Sequence, residues 1–497
     1  MQKPFYITTP IFYANANLHM GHAYTTTLVD IIARYHRLKG DSIYFLTGAD
    51  ENAEKIVRSA LALGVDTKKY LDDTVVNFKK LFEALNISYD QFIRTSDEKA
   101  HWPGAQEMWK RLVAKGDIKK RSYKGFYCVG HEAFITDKDL IEGKCPEHGE
   151  PPQEISEENY FFNLSRYTTS IKEKIKSGEF QIIPETRKNE ILALLERGLE
   201  DVSFSRPANK VSVGIPVPSD STQKIYVWCD ALVNYISALG FGRDDDSLYK
   251  KFWPADVHVI GKDILRFHGA IWPGMLLSAG LPLPKQLLVH GFIVSGGKKM
   301  SKSLRNVIDP LVLINEYGAE AVRYYLARHI SPFEDGDLTL EKFREVYNAN
   351  LANGLGNLVS RVMKMSQEYL SNANIGIDAN DTCPPLPKTA SGFGRRANKY
   401  EFPKEYVESL NKYDVQSASD FIWKKISEMD ERIQTTQPFK LIKTEPEKAK
   451  EVIAELVSDL TNIAHMLIPI IPETAEKIKL LVKENKMPEQ PLFPRKN

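Results

Sequence analysis

The chain has 497 residues, 42% of them hydrophobic and 26% charged, which excludes a disordered protein and allows a large buried core in roughly three domains. Lysine and arginine (66) nearly balance aspartate and glutamate (65), leaving +1, so a nucleic-acid partner would have to be met by local basic patches. Four cysteines argue against a disulfide framework, and the absence of a signal pattern or an apolar run of membrane length sets the expectation of a cytosolic protein that meets no membrane.

Phe5-Tyr6-Ile7-Thr8-Thr9 is apolar and β-branched and reads as a strand ending at Pro10. Leu28, Ile31, Ile32, Tyr35 and Leu38 then recur at helical spacing up to Gly40, and Ile43-Tyr44-Phe45-Leu46 supplies a second strand. Between them lies Asn17-Leu18-His19-Met20-Gly21-His22, which places two histidines at a strand-to-helix turn. Backbone N–H groups and the positive dipole end favour phosphate there, and Gly21 leaves space for a nucleotide against the backbone. Asp50 sits just past the second strand, where a carboxylate can hold a substrate ammonium or cap the segment beginning near Ala53. With helical patterns over Glu54–Leu63 and Trp109–Lys115, residues 1–116 read as the first half of an open α/β domain.

The texture changes over 117–221. Cys128-x-x-His131 and Cys145-x-x-His148, with turn-forming glycines, suit a closed tetrahedral zinc knuckle over about 125–150. Chance proximity of two cysteines and two surface histidines is the plain alternative. Aromatic strand-like pieces such as Tyr160-Phe161-Phe162 alternate with helix-like, charge-laced stretches over Glu154–Arg197. The α/β pattern resumes over 222–292 with strand-like Lys224–Trp228 and Val257–Ile260, helical Ile264–Ala279 and strand-like Gln286–Val294. The fold class read from this order is a doubly wound, Rossmann-like parallel sheet split by an insertion.

Residues 293–345 begin with Ser295-Gly296-Gly297, a loop that glycine makes mobile, and carry Lys298-Lys299-Met300-Ser301-Lys302-Ser303. Such a cationic loop can close over a triphosphate and neutralise charge on leaving pyrophosphate, although three lysines in five residues are most often a solvated loop. From 346 to 497 the chain turns helical. Ile453, Leu456, Val457, Leu460, Ile463 and Leu467 mark one amphipathic face ended by Pro469 and Pro472, and Asn372–Glu401 reads as a long loop.

His19-Met20-Gly21-His22 with Lys299-Met300-Ser301-Lys302-Ser303 resembles the paired signatures of the class I aminoacyl-tRNA synthetases. Ile7–Tyr13, Leu46–Glu51, Tyr226–Ala231, Gly261–Ile264 and Phe267-His268 bring the resemblance closest to the methionyl-tRNA synthetase family. The resemblance implies activation of methionine with MgATP to methionyl-adenylate and pyrophosphate, then transfer to the terminal adenosine of tRNA(Met), initiator tRNA included. It implies that His19, His22, Lys299 and Lys302 are catalytic, and that with Gly21, Gly261, Asp263 and Val294 they bind ATP. Ile11, Tyr13, Asp50, Trp228, Ala231, Tyr235, Phe267 and His268 would hold methionine, with aromatic rings against a polarizable thioether. Cys128, His131, Cys145 and His148 would hold one structural zinc. Asn357, Arg361 and Phe439, in the helical anticodon-binding domain, would meet the anticodon. The sequence departs from the family pattern at His131, where cysteine is commoner, at Arg305, where glycine is usual, and at Phe439, where tryptophan is usual. A monomer without the appended C-terminal tRNA-binding domain is expected, a module that a separate subunit can supply. A sister class I synthetase and a non-catalytic tRNA-binding paralogue are the rival readings; the methionine-like pocket and the two intact signatures argue against them.

Overall fold

The computed structural model describes residues 2–128, 133–135, 140–145, 150–211, 213–300, 306–370 and 401–497. Its centre is a six-stranded parallel sheet made of β1 (Pro4–Tyr13), β2 (Ser42–Asp50), β3 (Gln91–Arg94), β4 (Gln181–Ile183), β5 (Val257–Gly261) and β6 (Gln286–His290). Their spatial order is β3-β2-β1-β5-β6-β4. Both faces are covered, and the alternation of side chains shows it. Phe5, Ile7, Phe45, Val257, Val259 and Leu288 enter one core, while Tyr6, Tyr44, Leu46, Ile260, Leu287 and Val289 enter the other. The order reverses between β1 and β5, and in such sheets the crevice at the carboxyl ends of the strands at that switch point takes the ligand.

Several local readings of the sequence are corrected. β1 does not stop at Pro10: it runs to Tyr13, with its register against β2 broken between Thr8 and Ile11. A bulge tolerates a proline that a regular ladder excludes, and it re-aims Ile11 and Tyr13. β2 likewise extends to Asp50, and the next helix, Glu54–Ala62, has Ala53 at its N-cap with no side-chain cap, so Asp50 is not a helix cap. Lys224–Trp228 is a strand only to Ile225; Val227–Leu232 is a short helix. Gln286–Val294 splits into β6 and Ile293–Ser295, which belongs to a separate small sheet with Lys298–Lys299 and Gly336–Asp337. The segment 117–221 builds a four-stranded antiparallel sheet around Ile118–Cys128 and Gln153–Phe162, yet it also supplies the central sheet's edge strand β4.

Helix α1 (Met20–Leu38) packs on one face of the central sheet and on α2 (Ala319–His329). After α2 come α3 (Asn357–Tyr369), α4 (Val415–Thr436), α5 (Pro446–Leu467) and α6 (Pro472–Glu484). The six apolar residues read on α5 are all buried. The stretch 371–400, part of the expected long loop, lies outside the described residues. The core under α1 runs without a break into this bundle. A buried polar knot crosses the same boundary. The Arg323 guanidinium on α2 contacts Asp30 of α1 at 2.7 Å and donates to the carbonyls of Leu85, Pro469 and Ile470 at 2.8–3.0 Å. Asp30 also takes Arg34 at 2.7 Å and the N–H and O–H of Ser88.

Candidate active site

The first turn of α1 is capped by its own histidines. His19 is the N-cap, and its Nδ1 accepts the Gly21 N–H at 3.0 Å; Nδ1 of His22 accepts the His19 N–H at 3.1 Å. This is a capping box built from imidazoles in place of a hydroxyl and a carboxylate. It fixes the tautomer. Each Nδ1 is an acceptor, so in the neutral ring the proton sits on Nε2, leaving that N–H as a donor. Burial, helped by His19 and His290, holds His22 well below the usual histidine range, so its ring is neutral. A Cβ at Gly21 would meet Cε1 of His19 at 2.9 Å, so the glycine makes room for the cap, and it lines the cavity as well. The two rings lie 3.9 Å apart, centroid to centroid, and Phe12 packs edge-on to His22.

These histidines face a cavity of about 250 Å³ at the switch point between β1 and β5. His19, Gly21, His22, Gly261 and Asp263 line it. A Cβ at Gly261 would meet an Asp263 carboxylate oxygen at 2.6 Å, so that side chain would have to shift. Ile11, Tyr13, Asp50, Trp228, Ala231, Tyr235 and His268 line it as well. Phe267 stacks on the Trp228 indole at 3.4 Å and 9°, and Ile293, the neighbour of Val294, lines the cavity. Tyr13 meets Trp228 edge-on at 6.3 Å.

At the apolar end, the Tyr235 hydroxyl pairs with His268 Nε2 at 2.8 Å, while His268 Nδ1 contacts the Ile264 carbonyl at 3.0 Å. The carbonyl only accepts, so Nδ1 carries the proton and Nε2 takes the tyrosine O–H. Burial pushes His268 down to about 4 and raises the Tyr235 phenol, so the pair is neutral at ordinary pH. His290 and Thr25 are wall residues that the sequence reading missed, joined at 2.7 Å across the top of β6 and α1. Their only signal is the position of His290 at the carboxyl end of a central strand.

The lysine segment enters through a hairpin. Ser295 pairs with Lys298 across Gly296 and Gly297, whose φ angles are +60° and +71°. Two successive positive φ values make a type I′ turn, so these glycines set a tight hairpin and not a slack loop. Met300, just beyond it, reaches the cavity wall. Lys302 and Arg305 lie outside the described residues, and for Lys299 only the backbone strand is described. Of the knuckle, Cys128 and Cys145 are both buried and pack together in a small cluster of their own, and the Cys145 N–H bonds to the Glu150 carbonyl at 2.9 Å. His131 and His148 lie outside the described residues. In the bundle, Asn357 and Phe439 are exposed, whereas Arg361 is paired with Asp430 at 2.8 Å.

The site is a cavity at the switch point of a parallel α/β sheet, lined by the histidines that begin the switch-point helix, by Asp50 and Asp263, and by aromatic side chains. The family model described as "tRNA synthetases class I (M)" matches residues 5–155 and 139–363. The methionine–tRNA ligase of Clostridium acetobutylicum is 44% identical over 481 residues, 96% of this chain and 73% of that one, and the Thermotoga maritima enzyme of the same name is 40% identical over 95% and 74%. A structure of Mycobacterium tuberculosis methionyl-tRNA synthetase in complex with methionyl-adenylate superposes with a TM-score of 0.87 at 34% identity, covering 99% of this chain and 100% of that one. The chain belongs to the class I tRNA synthetases, in the methionine branch.

Proposed function

We propose that the two sides of this cavity take the two reactants of methionine–tRNA ligation. The chain activates methionine with ATP to methionyl-adenylate and pyrophosphate, then transfers the methionyl group to the terminal adenosine of tRNA(Met). The observation that carries the reading is that one cavity at the switch point gathers the two histidines and Asp263 with Asp50 and an aromatic wall.

The methionine carboxylate attacks the α-phosphate of MgATP, and no protein nucleophile is required. The enzyme's work is alignment and stabilisation of charge. His19 and His22 offer Nε2–H donors to phosphate oxygens, and the ring of His22, held well below the usual histidine range, adds no charge. Lys299 and Lys302 approach the departing pyrophosphate from the hairpin, and Asp263 meets the ribose hydroxyls. Asp50 takes the ammonium. Trp228, braced by Phe267, lies along the thioether with Tyr13, Ala231 and Tyr235.

Beyond the cavity, Asn357, Arg361 and Phe439 form the anticodon site, in which Arg361 exchanges Asp430 for RNA. One structural zinc is held by Cys128, His131, Cys145 and His148. The meeting of the two buried cysteines supports this, and the ion would fasten the end of the insertion hairpin. The working form is a cytoplasmic monomer. Amino-acid-dependent ATP–pyrophosphate exchange across the twenty amino acids tests the assignment. Methionine alone should support fast exchange, and preference for any other amino acid refutes it.

A further inference from the structure

Behind the cavity lies a buried polar network that none of the roles above uses. Asp230 and His101 are fully buried, and His101 Nε2 meets Asp230 Oδ1 at 2.5 Å while its Nδ1 meets the Ser237 hydroxyl at 2.8 Å. The second Asp230 oxygen accepts from the Asn52 side-chain amide at 2.7 Å, and the same amide donates to the Thr95 carbonyl at 3.0 Å. Thr95 in turn binds the Glu51 N–H at 2.8 Å through its hydroxyl. The network therefore joins two pieces of chain that are 178 residues apart.

Those two pieces are the opposite ends of the amino-acid side of the cavity. Asn52 follows Asp50 by two residues at the end of β2. Asp230 sits in the helix Val227–Leu232, whose Trp228 and Ala231 line the recess. That helix has six residues and no side-chain N-cap, too short to hold its own place. Its position relative to Asp50 must come from tertiary bonds, and the charge-assisted bond from Asn52 is the direct one.

We propose that the Asn52–Asp230 bridge is a positioning device that sets the distance between the ammonium end and the thioether wall, and thereby the side-chain length the enzyme accepts. His101 holds Asp230 from behind, so the carboxylate cannot swing away when the recess fills. The proposal rests on the reading that Asp50 takes the ammonium and Trp228 the thioether.

Pyrophosphate exchange with methionine and with its S-ethyl homologue, one methylene longer, tests it. In Asn52→Ala the methionine KM should rise about tenfold, as expected for loss of a charge-assisted bond, while the ATP KM stays put; the unfolding midpoint falls modestly because Asp230 loses a buried donor. The preference for methionine over the S-ethyl homologue, taken as a ratio of kcat/KM values, should fall at least threefold. Asn52→Asp keeps the size but sets a carboxylate against Asp230, so it should be at least as impaired. Three results overturn the bridge: methionine KM and preference ratio within twofold of wild type; equal rises in both KM values with a lower unfolding midpoint; or an aspartate variant milder than the alanine one. Wild-type preference for another amino acid would instead sink the assignment of the cavity, a separate failure.

Discussion

The paired-imidazole cap makes a prediction in which catalysis and stability come apart at one residue. His22 does two jobs with two nitrogens: Nδ1 accepts the His19 N–H at 3.1 Å, and Nε2–H faces the cavity. An asparagine amide overlays the Nδ1 position and a glutamine amide the Nε2 position. His22→Asn therefore keeps an acceptor for the helix end and deletes the phosphate donor. A donor aimed at charge that grows in the transition state is worth about 3–4 kcal/mol, roughly a few hundredfold in rate. His22→Gln restores a donor near the phosphate but leaves the His19 N–H without its cap, at about 1 kcal/mol of stability. Pyrophosphate exchange and urea unfolding, run on both variants, should give opposite rankings. The asparagine variant should be slow and stable, the glutamine variant faster and less stable. Exchange within tenfold of wild type in His22→Asn would refute the donor role.

Other outcomes follow from the same geometry. Lys302→Ala should leave methionine binding almost intact, as read by equilibrium dialysis, and slow adenylate formation by roughly a few hundredfold. Elemental analysis should find about one zinc per chain, lost or weakened in Cys128→Ser and Cys145→Ser, with His131→Cys retaining it. Arg361→Ala should leave methionine-dependent exchange near wild type and lower kcat/KM for tRNA sharply; loss of both reactions with a lower unfolding midpoint would make it a brace through Asp430 instead. His268, pushed down to about 4 in the fold, binds its proton more readily when unfolded. Its contribution is present above about pH 6.5 and is lost as pH falls toward 4, about 3 kcal/mol in all, with buried His22, His258 and His290 shifted the same way. Urea midpoints should therefore drop between pH 7.5 and pH 5.

The legibility of the sequence followed local periodicity. α1 was readable from Leu28 to Leu38 because one helix buries one stripe, and the histidines fell at its N-terminus as the strand–turn–helix order required. The failures came where tertiary contact overrides local preference. Tyr226-Val227-Trp228 has the residue types of a strand, yet the strand Asp220–Ile225, paired antiparallel with Ser205–Pro207, ends before it, and the chain coils to place the indole in the cavity. Gln286–Val294 reads as one strand, yet Gly291 and Phe292 separate β6 from Ile293–Ser295, which pairs in another sheet. His290 and Thr25 carry no spacing signal, since their 2.7 Å bond spans 265 residues and exists only once the sheet forms.

The Arg323 knot bears on how the molecule can be divided. Its guanidinium leans on Asp30 within the histidine helix and on the carbonyls of Pro469 and Ile470 in the C-terminal half, with no solvent access. Cutting the chain after α2 would strand that charge beside an uncovered apolar face, a loss far larger than that of a surface ion pair. Although the chemistry lies in the first half, the catalytic sheet and the bundle are not severable modules. A proteolytic fragment ending near residue 345 should aggregate rather than survive as a smaller, tRNA-blind enzyme, and a change of RNA-reading surface by exchange of the whole bundle would have to bring its own partner for Arg323.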